Sequence, residues 1–450
     1  MRAERQTGKR KGPSWGWAIA WMALVVIVAV ASVEEFAATS VDVGSGGPSP
    51  GGGGSTGPSQ PGHLRLLSES PAAGADKVPF TAAVNLNFSL PLAWQTPLPM
   101  ITPSVAGTWS RPTPTALVFR PAGNLVPLEQ ISVHIPGGPA GIRSASGAAL
   151  ASSVSTSFTV EDVPVLRLQQ LLAELDYLPV TFTRANSTGT ATTYPSPITT
   201  TGPVADPQSA LAVEPTTPRE IPLEPEAGSF RWRYADTPLQ LAALWVPGAW
   251  NVVTLGALMA FEADHGLQID GVAGPTVWTA LLDAVAARGA TTRPYTYVVA
   301  TETLPETLYV WRAGQVVIQT PINTGVYRAP TPLGTWPVYL RFTSVTMKGT
   351  NPDGTKYDDP GVPWVSYFYE SDAVHGFLRP GYGYPQSDGC VELPYSNAEM
   401  VYPLDTYGTL VTITTGEIYR ELGAAPPNFI YPPPPPTTTT TTTTFPIGTQ

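Results

Sequence analysis

Fourteen residues separate His375 from Cys390, and they read Gly-Phe-Leu-Arg-Pro-Gly-Tyr-Gly-Tyr-Pro-Gln-Ser-Asp-Gly. Four glycines and two prolines in that run forbid a continuous helix. The segment has to be a loop, and a loop of this length can fold back on itself. Cys390 is the only cysteine in 450 residues, and His375 is the last of four histidines. Folding back brings a thiol to an imidazole, and that pairing yields a thiolate able to attack carbonyl carbon at neutral pH. A buried, inert cysteine is the plain alternative. The Ser387-Asp-Gly-Cys390 run beside a loop histidine favours the reactive one.

The rest of the chain is sparing with charge: 13% of residues are charged, against 42 glycines and 51 prolines. Such a balance favours short strands, turns and linkers over long surface helices. A hydrophobic content of 42% is enough for real cores, and 450 residues leave room for several domains. Net charge is −10, with no basic cluster beyond the first 11 residues, which argues against nucleic-acid binding by the folded part.

The N-terminus reads as a targeting segment. Arg2, Arg5, Lys9, Arg10 and Lys11 in a cytoplasmic stretch (1–14) precede an uncharged run, Trp15–Val33, with Glu34 and Glu35 after it. This order places the N-terminus inside and the bulk of the chain outside. The run (15–33) is long enough to span a bilayer as an anchor in the cytoplasmic membrane, and Ala29-Val-Ala31 also suits signal cleavage. Both readings export the protein, and residues 34–62, rich in Gly, Ser and Pro, would tether it. At the other end, 424–450 ends in a proline run and eight threonines, a disordered tail.

Between these ends three segments differ in pattern. Residues 63–160 alternate apolar and polar at Val84–Phe88, Ile131–Ile135 and Val154–Phe158, which predicts a small β-sandwich. Residues 163–286 carry helical spacing at Leu168, Leu171, Leu172 and Leu175, again over Asn251–His265, and a third helix opened by Gly274-Pro275. Between them 184–227 lacks periodicity and reads as a long loop. Residues 294–416 are β-rich, with one short helix expected near Ser396–Leu404. Within them 343–363 are polar and turn-rich, suggesting a mobile flap with Met347, Tyr357 and Trp364 as candidate substrate contacts.

Family resemblances follow these boundaries. Pro71…Gly74, Val84–Leu92 and Leu117–Phe119 resemble bacterial immunoglobulin-like domains. The phrases Leu166–Tyr177 and Phe261–Trp278 resemble the three-helix peptidoglycan-binding domain, here with a long insertion. The hairpin Leu308-Tyr-Val-Trp-Arg-Ala-Gly-Gln315, Asn323-Thr-Gly325, Thr331-Pro-Leu-Gly334, His375-Gly376 and Ser387-Asp-Gly-Cys-Val391 resemble the L,D-transpeptidase catalytic domain of the YkuD type. The fold class implied is multidomain: an Ig-like sandwich, a helical module and a β-rich catalytic domain.

By the same resemblance Cys390 is the nucleophile, His375 the general base and proton donor, and Gly376 orients the imidazole through its backbone. Gly389 is implied in the oxyanion hole, and Ser387, Asp388 and Glu392 beside the substrate. The implied reaction is acyl transfer on peptidoglycan stem peptides through a thioester, with no metal and no cofactor. Two positions depart from the family pattern. Asp388 stands where a histidine is usual, and Glu392 where an arginine is usual. Negative charge there raises a thiol's pKa, although Asp388 would favour a protonated His375. Three activities stay open: cross-linking, trimming of stem peptides by hydrolysis, and a wall-binding scaffold that has lost catalysis.

Overall fold

The computed structural model describes residues 63–185 and 220–416. The export segment, the tether, the centre of the insertion and the Pro/Thr tail lie outside the described residues. Among those described, no helix is long and apolar enough to cross a membrane.

The first eight strands are β1 (Leu66–Ser70), β2 (Ala75–Val78), β3 (Val84–Phe88), β4 (Met100–Thr102), β5 (Gly107–Ser110), β6 (Ala116–Pro121), β7 (Gln130–Ile135) and β8 (Val154–Val160). They form two four-stranded sheets, ordered β1-β3-β6-β5 and β2-β8-β7-β4. The period-two pattern explains the packing. Val84, Leu86 and Phe88 from one sheet and Ile131, Val133 and Ile135 from the other are buried in one apolar cluster, while the residues between them are more exposed.

Next come α1 (Val165–Glu174), β9 (Val180–Arg184), β10 (Gly228–Trp232), α2 (Leu239–Ala243), α3 (Val252–Asp264) and α4 (Pro275–Ala286). Asn251 caps α3 by accepting the Thr254 N–H at 3.0 Å, and Pro275 opens α4 where its missing N–H costs nothing. Asp270-Gly271 turns the chain between these helices, with both N–H groups given to the Glu262 carboxylate. The long loop expected at 184–227 is more ordered at its base than its composition suggests. β9 and β10 pair antiparallel from Val180–Trp232 to Arg184–Gly228. Val180, Phe182, Phe230 and Trp232 recur at period two, and the sequence reading overlooked that signal. Glu226 then locks the base by joining buried Arg167 and Arg184, each at 2.8 Å.

The last segment carries β11 (Thr296–Thr301), β12 (Thr307–Arg312), β13 (Gln315–Pro321), β14 (Gly334–Pro337), β15 (Leu340–Thr350), β16 (Lys356–Tyr369), β17 (Asp372–Gly376), β18 (Val391–Leu393), α5 (Tyr395–Val401) and β19 (Leu410–Thr414). One sheet runs β13-β12-β11-β19-β14, the other β15-β16-β17-β18. The first sheet is apolar on both faces. Val298, Ala300, Leu308 and Val310 pack towards β17, β18 and α5. Tyr297, Val299, Tyr309, Trp311 and Leu410 join the cluster that also holds the helices. At that junction Gly256 of α3 meets Gly408: a side chain on Gly256 would begin 2.5 Å from the Gly408 carbonyl oxygen.

The expected flap is a long β-hairpin. β15 and β16 pair from Leu340–Tyr367 out to Thr350–Lys356, and Asn351-Pro-Asp-Gly354 is its turn. The second turn signal, Asp358-Asp-Pro-Gly361, does not end the strand. Register slips between Val345–Val362 and Met347–Asp359, so Pro360 and Gly361 form a bulge. Proline lacks the ladder N–H and Gly361 takes φ +71°, which suits a bulge inside a strand.

Candidate active site

β17 and β18 run parallel, with Val374 opposite Val391, His375 opposite Glu392 and Gly376 opposite Leu393. Alternation then sorts the side chains. Val374, Val391 and Leu393 enter the apolar core against Ala398 and Val401 of α5. Ala373 and Cys390 belong to a separate cluster with Val362, Val365, Tyr367 and Met347. His375 and Glu392 share the face of Ala373 and Cys390, because they lie two residues further along the same strands. The imidazole is therefore the thiol's diagonal neighbour across the sheet.

The segment before Cys390 is held from behind by the motifs the sequence singled out. Asn323 and Glu392 exchange both backbone hydrogen bonds, at 3.0 and 2.9 Å. Thr324 O accepts the Gln386 and Ser387 N–H groups. Thr331 Oγ accepts from the Gly325 N–H at 2.8 Å and donates to the Gly389 carbonyl at 2.7 Å. Glu306, fully buried, accepts from the Thr324 N–H and hydroxyl, both at 2.7 Å. Nothing near Glu306 in sequence announced this role.

His375 is 2% exposed. Its Nδ1 lies 3.1 Å from the Gly376 carbonyl, which fixes the tautomer with the proton on Nδ1 and leaves Nε2 as the basic atom. Burial holds its pKa below the ordinary histidine value, against an upward pull from the Gly376 carbonyl and Glu392. Cys390 is partly buried, and its Sγ lies 3.8 Å from the Ser371 carbonyl. Burial, and next the charge of Asp372, push the thiol up to about 12, partly offset by the Ala373 N–H. Both shifts favour the neutral forms, thiol and imidazole.

The remaining site residues fall into different places. Ser387 is buried; its hydroxyl donates to the Cys390 carbonyl at 2.6 Å and accepts the Gly389 N–H at 3.2 Å. Asp388 is exposed. Its pKa is raised by burial against the attraction of Arg379. Glu392 is buried and takes a bidentate ion pair from Arg379, at 2.8 Å to Nε and 2.6 Å to Nη2. The arginine stands 13 residues upstream, in the loop, and stacks at 4.7 Å over Phe377. The negative charge expected from Glu392 is thus neutralised by a residue the sequence reading passed over.

On the hairpin, Met347 and Tyr357 face the thiol. Met347 packs in its cluster, and Cys390 is the largest charge effect on Tyr357. Tyr357 lies across Gly349, where a side chain would begin 2.4 Å from the tyrosine hydroxyl. Trp364 goes the other way, packing against the opposite core and edge-on to Tyr395 at 6.1 Å. Tyr367, unremarked in the sequence, is drawn to the thiol instead, with burial and Cys390 pushing it up to about 12.

With this geometry in view, the family comparison is specific. Residues 295–413 match the YkuD family, the L,D-transpeptidase catalytic domain. The matched span runs from β11 to β19 and contains every residue of the site. Among solved structures, the catalytic domain of an Enterococcus faecium L,D-transpeptidase aligns at 27% identity, covering 27% of this chain and 99% of its own, with a TM-score of 0.25. An L,D-transpeptidase from Mycobacterium smegmatis aligns at 13% identity over 78% of this chain and 98% of its own, TM-score 0.23. L,D-transpeptidase 3 from Mycobacterium tuberculosis, in complex with a faropenem-derived adduct, aligns at 13% identity over 78% and 97%, TM-score 0.25. No curated protein matches the chain.

Proposed function

We propose that this chain is an exported cysteine acyltransferase that cross-links peptidoglycan stem peptides. One observation carries the reading: inside the domain that matches the family, Cys390 and His375 share one face of the β17–β18 pair, with the imidazole Nδ1 tied to Gly376. The thiol proton passes to His375 Nε2 as sulfur attacks the amide carbonyl before the terminal D-alanine. The carbon–nitrogen bond breaks, the imidazolium protonates the departing amine, and a thioester remains. An amine from a neighbouring stem then attacks the thioester, and the sulfur leaves. The Gly389 N–H is given to Ser387, so the Cys390 N–H is the nearer donor for the developing oxyanion.

A neutral resting pair favours proton transfer concerted with attack over a preformed thiolate. The high thiol pKa also supports the scaffold reading. The Arg379–Glu392 pair weighs against it by offsetting one of the negative charges near the thiol. In this proposal the N-terminal segment holds the protein at the outer face of the cytoplasmic membrane, or is cleaved. The sandwich then acts as a spacer of Ig-like type, and the helical module contacts the wall.

Incubation with a carbapenem, followed by intact-mass measurement, tests the reading. The wild type is expected to gain one covalent adduct and Cys390→Ala none. An unmodified wild type would leave the scaffold reading standing. With the adduct in hand, stem-peptide products separate cross-linking from trimming.

A further inference from the structure

Asp372 is an acidic side chain near the thiol that, unlike Glu392, carries no ion pair among the described residues. It opens β17 after the Glu370-Ser371 turn, paired with Tyr369. The β17–β18 pairing ends at Val374–Val391, and the bend before Val391 brings Gly389 against Asp372. The contact agrees: a side chain on Gly389 would begin 2.5 Å from Asp372 Oδ1 and 3.2 Å from Oδ2. Gly389, at φ +120°, is the residue that lets this carboxyl close over the loop. The carboxyl thus lies over Gly389, the residue before the thiol, while His375 lies three residues further along β17. His375 is buried, whereas Asp372 is half-buried and open to an incoming group.

We propose that Asp372 receives the acceptor: its carboxylate holds the incoming amine at the thioester and takes the proton that the amine must lose. This rests on the acyltransferase reading above. In the step, the amine nitrogen bonds to the thioester carbon and the carbon–sulfur bond breaks. The electron pair of that bond goes to sulfur, and the amine proton passes through the carboxylate to the sulfur, restoring the thiol. Hydrolysis needs no cation on that side, so Asp372 favours amine over water.

Burial and the neighbouring Glu370 push Asp372 up to about 7, which suits a group that both takes and gives a proton near neutrality. The other titratable groups that feel it are Tyr339 before β15, Tyr357 on β16 and Cys390 itself.

The test is Asp372→Asn in the full chain, with a tetrapeptide stem as acyl donor and a D-amino acid as the amine. Acylation is measured as the mass of the thioester, and its fate as the ratio of amine product to hydrolysis product from pH 5.5 to 8.5. Corrected for the free-base fraction of the amine, the wild-type ratio is expected to rise through pH 7. The Asp372→Asn ratio, corrected in the same way, is expected to be about tenfold lower, a loss of one pKa-unit equivalent, and flat with pH, with acylation no slower than in the wild type because a charge that raises the thiol is gone. An unchanged ratio in the variant would overturn the proposal and leave the transpeptidase reading intact. So would an equal loss of acylation and aminolysis, which marks a purely structural contact with Gly389. A wild type that never acylates would remove both.

Discussion

Val374 and His375 are neighbours on one strand and belong to two differently built regions. The face of β17–β18 that holds Val374, Val391 and Leu393 is sealed against α5, and every side chain there is aliphatic and 1% exposed or less. The opposite face holds an imidazole, a thiol and a paired glutamate. One face is stable because nothing on it needs a partner. On the other, each group's protonation depends on its neighbours. Strand alternation allows the two to be only one residue apart, so the rigid face positions the reactive one.

That division can be broken from either side. The largest effect is expected from His375→Gln, which removes the base and leaves the packing of the aliphatic face alone. Its rate of acylation by a β-lactam should fall by about 10²–10⁴-fold, the usual worth of a positioned acid–base group. Its unfolding midpoint should stay near that of the wild type. Acylation at the wild-type rate would show that another group takes the thiol proton.

Arg379→Met tests whether the reactive face depends on its ion pair. It strands the Glu392 carboxylate, 5% exposed, without its cation. Breaking a buried pair from one side costs about 3–5 kcal/mol, read from chemical denaturation. Acylation should also slow, because the uncovered charge raises the pKa of the thiol further. The double variant Arg379→Met, Glu392→Met is expected to recover most of the stability. If the single variant unfolds like the wild type, the pair contributes nothing.

Leu393→Ala approaches from the aliphatic side. It opens a cavity beside α5 and should cost about 2–5 kcal/mol, the lower end being met if the helix settles inwards. Acylation per folded molecule should be unchanged. A parallel loss of rate would show that the two faces are coupled through the backbone of β18.

The reactive face was the more legible of the two in the sequence, since Cys390 and His375 were singled out while β17 and β18 were not read as strands. Period-two patterns marked three strands of the sandwich, Val84–Phe88, Ile131–Ile135 and Val154–Phe158, and the Gly/Pro-rich loop placed Cys390 near His375. Asn323-Thr-Gly325 and Thr331 were recognised as motifs, although only the coordinates show that they brace the loop from behind. Partnerships across the fold were hidden. Glu392 read as an isolated negative charge because its arginine lies 13 residues away in a loop, with no periodic signal to join them. Asp372 lies three residues before His375, and no local pattern tells that a glycine 17 positions later makes room for it. The hairpin was misread for a related reason. Asp-Asp-Pro-Gly is a turn signal in isolation, but β15 supplies a ladder that absorbs it as a bulge.

The close approach of Gly256 and Gly408 bears on how this protein can be handled. The matched catalytic span begins at residue 295, which invites excision there. A fragment cut at that point would keep its reactive loop but carry Tyr297, Val299, Trp311 and Leu410, all fully buried at present, into water. Such a broad apolar surface makes a fragment prone to aggregate. Loss of activity in it would report poor solubility rather than a missing catalytic group. The helices cover this surface, so truncations that keep it covered should begin no later than α1.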